Sequence, residues 1–191
     1  MMIRPRLLAA CSAVLLATGC AQFAAPPYAA DYTALDALKR TAPDKVNVAE
    51  VQPTDPAHPV NNLSLRGARL RSATGTFAQY LESALRSDLK EIAVYDPAAR
   101  TRINATIQRN EIDVAGVSTG EGFMDVELIV TRDGIERLRK VYQARTSFES
   151  SFAGAVAVPK GQSEYPNLVR TLLKQVYTDP AFIAAIGQPR P

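Results

Sequence analysis

The chain has 191 residues, of which 47% are hydrophobic and 21% are charged, and its formal net charge is +3. This composition is typical of a globular protein and excludes a largely disordered chain, and the length fits a single domain. Arg4 and Arg6 supply two of the positive charges, and the remaining basic residues form no stripe with interleaved aromatic residues. The sequence therefore gives no electrostatic support to nucleic-acid binding.

The N-terminus carries the strongest pattern in the sequence. After Arg6, residues 7–16 form an apolar run that is too short to span a bilayer, which takes ~20 residues. Small residues then lead into a cysteine, in the order Ala17-Thr18-Gly19-Cys20. This order resembles the lipobox of bacterial lipoproteins, although Leu is more usual than Ala at position 17. The resemblance implies a signal peptide over residues 1–19 and lipidation of Cys20; the alternative is an ordinary signal peptide with an incidental cysteine.

The first part of the mature chain is predicted to be a tether. Residues 20–44 comprise the lipidated cysteine and a segment in which small residues and the pair Pro26-Pro27 favour an extended, unpacked chain. A short helix over residues 31–40 has only weak periodicity. Residues 45–51 then alternate apolar and polar side chains, which predicts a half-buried strand. The proline-rich stretch 52–62 is predicted to be a loop.

Two amphipathic helices are predicted. The first covers residues 76–92, where Thr76 and Gln79 form a capping-box pattern directly after a glycine. Its apolar residues recur at helical spacing: Phe77, Leu81, Ala84, Leu85 and Leu89. Residues 150–162 are predicted to be a loop of small residues. The last helix follows that loop, and its apolar face consists of Leu168, Val169, Leu172, Leu173, Val176 and Tyr177.

Three strands are predicted between these helices, over residues 102–107, 123–131 and 136–148. The phase of the alternation changes after the first of them, which indicates a bulge or a loop near residues 109–111. Asp133-Gly134 is a hairpin-turn dipeptide and pairs the last two strands in antiparallel order.

The order of these elements, β-α-β-β-β-α, predicts an α+β fold. We expect a two-layer sandwich in which a mostly antiparallel four-stranded sheet carries both helices on one face. The opposite face of the sheet is expected to be polar and solvated. The domain is predicted to extend from residue 45 to residue 187, with a tail at residues 188–191.

Few residues offer catalytic chemistry. His58, the single histidine, is interpreted as a solvated loop residue, the alternative being part of a Ser-His-Asp triad. With one imidazole and no thiol after Cys20, the usual zinc and copper sites are excluded, and we predict no metal and no cofactor. Carboxylates on adjacent predicted strands could bind calcium or act as an acid/base pair, but we interpret them as the wet side of the sheet: Glu111, Asp113, Asp125 and Glu127. We therefore expect no enzyme.

One segment is a candidate contact with a partner. Residues 152–159 are apolar and uncharged. The candidate contact residues are the largest side chains of this segment, Phe152, Val156 and Val158. Such a segment can pair with a strand of a partner or lie against lipid. The alternative is that it forms the end of the fourth strand, tucked against the last helix.

Several weak motifs follow the lipobox in a characteristic order: the apolar stripe Phe77…Leu81…Leu85…Leu89, the strand motif Asn110-Glu111-Ile112-Asp113, the hairpin Asp133-Gly134 and the tail Tyr177-Thr178-Asp179-Pro180-Ala181-Phe182. This order resembles small proteobacterial outer-membrane lipoproteins of the YajG-like type and the lipopolysaccharide-assembly and ABC-transport auxiliary lipoproteins. The resemblance implies a non-enzymatic protein that is anchored in the outer membrane, faces the periplasm and supports another envelope component.

The predicted localisation in the outer membrane depends on the residue after Cys20. Many such lipoproteins that stay in the inner membrane have aspartate at this position, whereas this chain has Ala21. The identity of the partner and the oligomeric state stay open. The alternative function is a periplasmic carrier of lipid or another amphiphile, which predicts a sizeable apolar cavity between the helices and the sheet.

Overall fold

A computed structural model describes residues 22–188; the predicted signal peptide, Cys20 and residues 189–191 lie outside this range. The helices are α1 (Tyr32–Arg40), α2 (Phe77–Glu91), α3 (Gly154–Thr178) and α4 (Pro180–Ile186). The strands are β1 (Gln22–Ala24), β2 (Val46–Val48), β3 (Leu63–Leu65), β4 (Ala68–Arg71), β5 (Thr101–Asp113), β6 (Thr119–Arg132) and β7 (Ile135–Glu149). A short 3-10 turn, Pro59–Asn61, precedes β3.

The main sheet has four strands in the order β2-β5-β6-β7. β2 is parallel to β5, and the long strands β5, β6 and β7 are antiparallel to one another. The α+β class and the predicted order β-α-β-β-β-α are thus confirmed for this sheet and its two main helices. The turn Asp133-Gly134 connects β6 to β7, and both of its residues have positive φ, as a tight hairpin of this kind requires.

The change of phase in the sequence is a bulge inside one continuous strand. Ile103, Ala105 and Ile107 of β5 point into the core, and the register with β6 shifts between Ile107 and Arg109. The extra residue, Gln108, lets Asn110 and Ile112 return to the buried face. Of the two alternatives predicted near residues 109–111, a bulge or a loop, the bulge is therefore present, at residue 108.

The helices cover one face of the sheet. The capping box of α2 is formed as predicted, because Thr76 accepts from the amide of Gln79 and the side chain of Gln79 accepts from the amide of Thr76. α3 packs across β6 and β7. Side chains fill the space between the layers, and the following have no accessible surface: Val46, Leu89, Ile103, Met124, Val130, Ala144, Leu168 and Val169.

The predicted tether is wrong for the part of it that the structure describes. Residues 22–24 form β1, which pairs in parallel with β4 in a second sheet of order β1-β4-β3. The short helix considered for residues 31–40 is present as α1; it packs against α3, and its Leu35 and Leu38 are buried. The reason is that a few apolar side chains suffice to dock a short extended segment: Ala25 is buried, and Phe23 and Tyr28 pack against the core. The folded domain therefore begins before residue 45.

The predicted loop at residues 150–162 is also wrong, because α3 begins at Gly154. Pro159 and Pro166 lie inside this helix, and a proline in a helix interior costs about 3 kcal/mol because it removes a hydrogen bond. Burial of Ala157, Val158 and Tyr165 offsets this cost. The segment 152–159 is thus not the end of a strand.

Candidate functional surfaces

Three loops meet at one end of the molecule around Arg66. Its guanidinium donates to the carbonyl oxygens of Val114 (2.8 Å), Gly116 (3.2 Å) and Ser151 (3.0 Å), and also to that of Phe152. Arg66 occupies the β3–β4 turn with Gly67, and both residues have positive φ. A positive φ is sterically unfavourable for a residue other than glycine. The four hydrogen bonds of Arg66 stabilise this conformation and hold the turn against the other loops. We call the surface formed by Arg66–Gly67, residues 115–118 and residues 151–156 the loop end.

The loop end carries exposed apolar side chains. Phe152 is 80% exposed, Val117 is 72% exposed and Val156 is 44% exposed, whereas Val158 is buried at 7%. Of the three predicted contact residues, Phe152 and Val156 are therefore available at the surface and Val158 belongs to the core. Val117 comes from the β5–β6 loop, which is joined to the β7–α3 loop by a hydrogen bond of 2.8 Å from the amide of Ser150 to the carbonyl of Ser118.

The carboxylates of the main sheet do not form a shared site. Asp125 pairs with Arg145 at 2.6 Å and Glu127 with Arg139 at 3.3 Å, in both cases across the β6–β7 pairing. Glu111 pairs with Arg109 at 2.5 Å. Each of these carboxylates has an arginine as its partner on the solvated face of the sheet, which is the arrangement expected of a wet strand face.

An aromatic ring lies among these ion pairs. Phe123 of β6 is half-buried, and the guanidinium carbons of Arg109 and Arg145 lie 4.2 Å and 5.2 Å from its ring centroid. The two arginines cover the ring by cation–π contacts. β7 is the outer strand of the sheet among the described residues, and Val141 on this same face is 41% exposed. The outer face thus combines a free strand edge with alternating charges and a few apolar side chains.

A buried carboxylate joins the N-terminal segment to two helices. Asp88 of α2 is 1% exposed and accepts hydrogen bonds from the hydroxyls of Tyr28 (2.7 Å) and Tyr177 (3.0 Å). Its Oδ1 has no partner among the described residues. Burial raises the pKa of Asp88 to about 6, although the two tyrosine donors act in the opposite direction. Burial and the nearby carboxylate raise the pKa of Tyr28 well above its usual range.

The N-terminal segment is held by further contacts along its length. The hydroxyl of Tyr80 donates to the carbonyl of Pro26 at 2.8 Å, and the side chain of Gln162 donates to that of Ala24 at 2.6 Å. A surface cleft of about 300 Å³ lies beside this segment, lined by Pro27, Tyr28, Ala73, Thr74, Tyr80, Ser83, Ala84 and Ser87. The cleft opens between the segment and α2, and not between the helices and the sheet.

The single histidine is part of a turn. His58 is exposed, and its Nδ1 accepts from the amide of Val60 at 3.4 Å, which caps the 3-10 turn. Within residues 22–188, no group of three or more His, Cys, Asp and Glu side chains is placed to hold a metal ion. Within the same range, none of the helices is both long and apolar enough to cross a membrane.

Sequence reasoning missed Arg66, Asp88 and Val117. Arg66-Gly67 carries a weak turn signal, since glycine at the second position of a two-residue hairpin is common. Asp88 lies on the apolar side of α2, next to Leu89, and a carboxylate in that place is a signal of a buried polar contact. Nothing in the sequence places Val117 beside Phe152, because the two belong to different loops.

The fold is shared with a solved structure. A Xanthomonas campestris protein of the family DUF330 matches with a TM-score of 0.55 and 12% sequence identity, over 82% of this chain and 94% of that chain. A Caulobacter crescentus CB15 structure, described as that of a candidate lipoprotein, has a TM-score of 0.45 and 13% identity, over 80% of this chain and 97% of that chain. No protein family and no curated protein matches the sequence. The class of the protein is thus a compact α+β domain with the fold of the Xanthomonas protein.

Proposed function

We propose that the protein is a lipoprotein of the bacterial outer membrane that faces the periplasm and binds another component of the cell envelope without catalysing a reaction. One observation carries the proposal. The lipobox-like order Ala17-Thr18-Gly19-Cys20 ends two residues before Gln22, the first residue of β1. An apolar segment, a cleavage sequence and a cysteine that directly precedes a domain are the arrangement of a lipid-anchored protein.

Binding, rather than catalysis, fits the surfaces described above. The carboxylates Asp125 and Glu127 are each neutralised by an arginine, and His58 caps a turn. The outer face of the main sheet and the edge of β7 offer groups that a protein partner can use: the backbone groups of a strand that has no outer neighbour within residues 22–188, and Phe123 with its two arginines. We therefore assign the partner to the class of proteins.

The alternative function, a carrier of lipid or another amphiphile, needs a cavity between the helices and the sheet. Core side chains such as Leu89, Met124 and Leu168 occupy that space without accessible surface. A ligand of this kind would have to displace closely packed side chains, at a cost of several kcal/mol. The packing therefore supports the binding role over the carrier.

The anchor is tested by labelling with radioactive palmitate in a Gram-negative host. The native chain and Cys11→Ala incorporate label, because residue 11 is removed with the signal peptide, whereas Cys20→Ala does not. Label on Cys20→Ala would refute the anchor. In the same host, Ala21→Asp is expected to shift the protein from the outer-membrane to the inner-membrane fraction of a density gradient. An unchanged distribution would refute the proposed role of residue 21 in localisation.

The binding role is tested by photocrosslinking in intact cells that express the lipidated protein. A benzophenone amino acid replaces Val141 on the outer face of the sheet, and Tyr32 of α1, which is 64% exposed, is the matched control position. We expect one defined protein adduct at position 141 and none at position 32. Adducts with lipid at position 141, or no adduct there, would contradict a protein partner on this face and favour the carrier.

A further inference from the structure

The course of β1 determines which end of the domain lies next to residue 20. Gln22 is level with Arg69 and Ala24 with Arg71, and the two strands are parallel. β4 begins just after the turn Arg66–Gly67, so that the chain, followed backwards from Ala24 to Gln22, runs towards that turn. Cys20 lies two residues further back, and two residues span at most about 7 Å. Whatever path residues 20 and 21 take, the attachment point of the proposed lipid is within this distance of Gln22, the residue of β1 nearest to the turn Arg66–Gly67.

The loop end is also the part of the surface best suited to contact lipid. The described residues include six exposed large hydrophobic side chains, and three of them, Val117, Phe152 and Val156, lie here. Residues 114–120 and 150–159 contain no charged residue. The guanidinium of Arg66 donates to four carbonyl oxygens of these loops, so that four of its five N–H donors are used within the protein. Exposed apolar patches mark contacts with membranes or proteins.

We propose that the loop end rests on the membrane surface, with Phe152, Val117 and Val156 inserted at the boundary between the lipid headgroups and the acyl chains. This inference rests on the proposed function, since it requires the anchor at Cys20. The anchor keeps the domain at the bilayer, and apolar side chains that are buried beside it add to the association in proportion to their area. The occupant is lipid rather than a protein because the anchor holds this end within reach of the bilayer whatever the rest of the domain binds.

The proposal fixes the orientation of the domain. The β6–β7 hairpin at Asp133-Gly134 is at the opposite end of the strands from the β5–β6 loop, because β6 extends over Thr119–Arg132. At about 3.3 Å per residue the hairpin lies roughly 40 Å from the loop end. The outer face of the sheet and the edge of β7 then extend away from the membrane, where a periplasmic partner has access to them.

The test uses the full chain, lipidated in a Gram-negative host and reconstituted into vesicles of phosphatidylethanolamine and phosphatidylglycerol. Phe152→Cys provides one free thiol, because Cys11 leaves with the signal peptide and Cys20 carries the lipid. Ile135→Cys is the matched control, since Ile135 is 58% exposed and lies beside the distant hairpin. Each thiol is labelled with the fluorophore NBD, and nitroxide-labelled lipids are added as quenchers.

We expect the label at position 152 to shift to shorter wavelength and to lose most of its fluorescence to the nitroxide lipids, while the label at position 135 keeps its emission. Mass spectrometry of the same samples reports acylation of Cys20. If Cys20 is acylated and position 152 is not quenched, the orientation is refuted and the proposed function stands. If Cys20 is not acylated, both are refuted. A third outcome would overturn the proposal: the label at position 152 is not quenched by nitroxide lipids, but it is protected from iodide quenching in native envelopes. The loop end would then be a contact with a protein.

Discussion

The buried carboxylate of Asp88 makes the stability of the domain depend on pH in an unusual direction. Its pKa is raised from 3.8 in the unfolded chain to about 6 in the folded protein. The sign follows from linkage: the folded state binds the proton more tightly, so protonation stabilises it as the pH falls through 6. The raised pKa corresponds to about 3 kcal/mol of stabilisation at a pH well below 4, and roughly half of this is present at pH 5 relative to pH 8.

The assay is urea unfolding at pH 5, 6.5 and 8, followed by circular dichroism. We expect the free energy of unfolding of the native sequence to be higher at pH 5, and the difference to disappear in Asp88→Asn, which is neutral at every pH. Asp31 does not contribute to the pH dependence in this window. The hydrogen bond from the amide of Ala34 lowers its pKa below the ordinary value, so it titrates below pH 5. An Asp88→Asn variant that keeps the full pH dependence would refute the assignment to Asp88.

Asp179→Asn is the matched control for this experiment. Burial tends to raise the pKa of Asp179, but hydrogen bonds from Tyr142 and Lys140 outweigh it, so its pKa lies below the usual value. Its stabilising effect is therefore fully present from pH 5 to pH 8. We expect Asp179→Asn to be less stable than the native sequence by a constant amount across the window, with its pH dependence unchanged.

Three further substitutions test the packing and the loop end. Phe152→Asp is expected to leave the free energy of unfolding within about 0.5 kcal/mol of the native value by urea titration, because the side chain is 80% exposed; unfolding would place it in the core instead. Gly161→Ala is expected to lose about 1 kcal/mol in the same assay, because the new Cβ would lie 2.6 Å from Cγ1 of Val114 and overpacking outweighs the better helix propensity of alanine. A gain in stability would show that the side chain of Val114 moves aside at little cost. Arg66→Asn places a residue that tolerates positive φ in the turn, and it is expected to speed amide exchange of residues 115–118 and 151–153 and to lower the free energy of unfolding by about 1 kcal/mol. Unchanged exchange would show that the guanidinium does not hold these loops.

The main sheet and α2 could be predicted because their signals are local. The alternation of apolar side chains through β5 and β6 indicates which face of each strand is buried, and the capping box marks the N-terminus of α2. The bulge was visible for the same reason, since one extra residue changes the parity of the pattern. These features depend on periodicity within a segment and not on the partner of that segment.

The N-terminal segment and the first half of α3 could not be predicted because distant residues determine them. Pro26-Pro27 favours an extended chain in either case, and contacts with distant residues such as Tyr80 and Asp88 determine that this chain is docked rather than free. In α3, Pro159 and Gly161 indicate a loop by local rules. Gly161 is required by the close approach of the helix to Val114, a contact between residues far apart in the sequence.

The same limit applies to the loop end. The sequence singled out residues 152–158 as an apolar segment, but it left open whether that segment is core or surface. The answer differs along the segment, because helical spacing turns Val156 outward and Val158 inward. Val117 and Phe152 are brought together by the hydrogen bond between their two loops and by Arg66, which donates to the carbonyl oxygens of Gly116 and Phe152 from a third segment.

The parallel pairing of β1 with β4 has a mechanical consequence. A force applied to the chain just before Gln22 acts along the axis of β1, towards the turn from which β4 departs. In that direction the strand is loaded in shear, so that its backbone hydrogen bonds and the bond from Gln162 to Ala24 resist together rather than one after another. Tyr28, bound to Asp88 a few residues further on, is the next point at which the load passes into the helical layer. Tension at the N-terminus is thus shared between the sheet β1-β4-β3 and the helices α2 and α3.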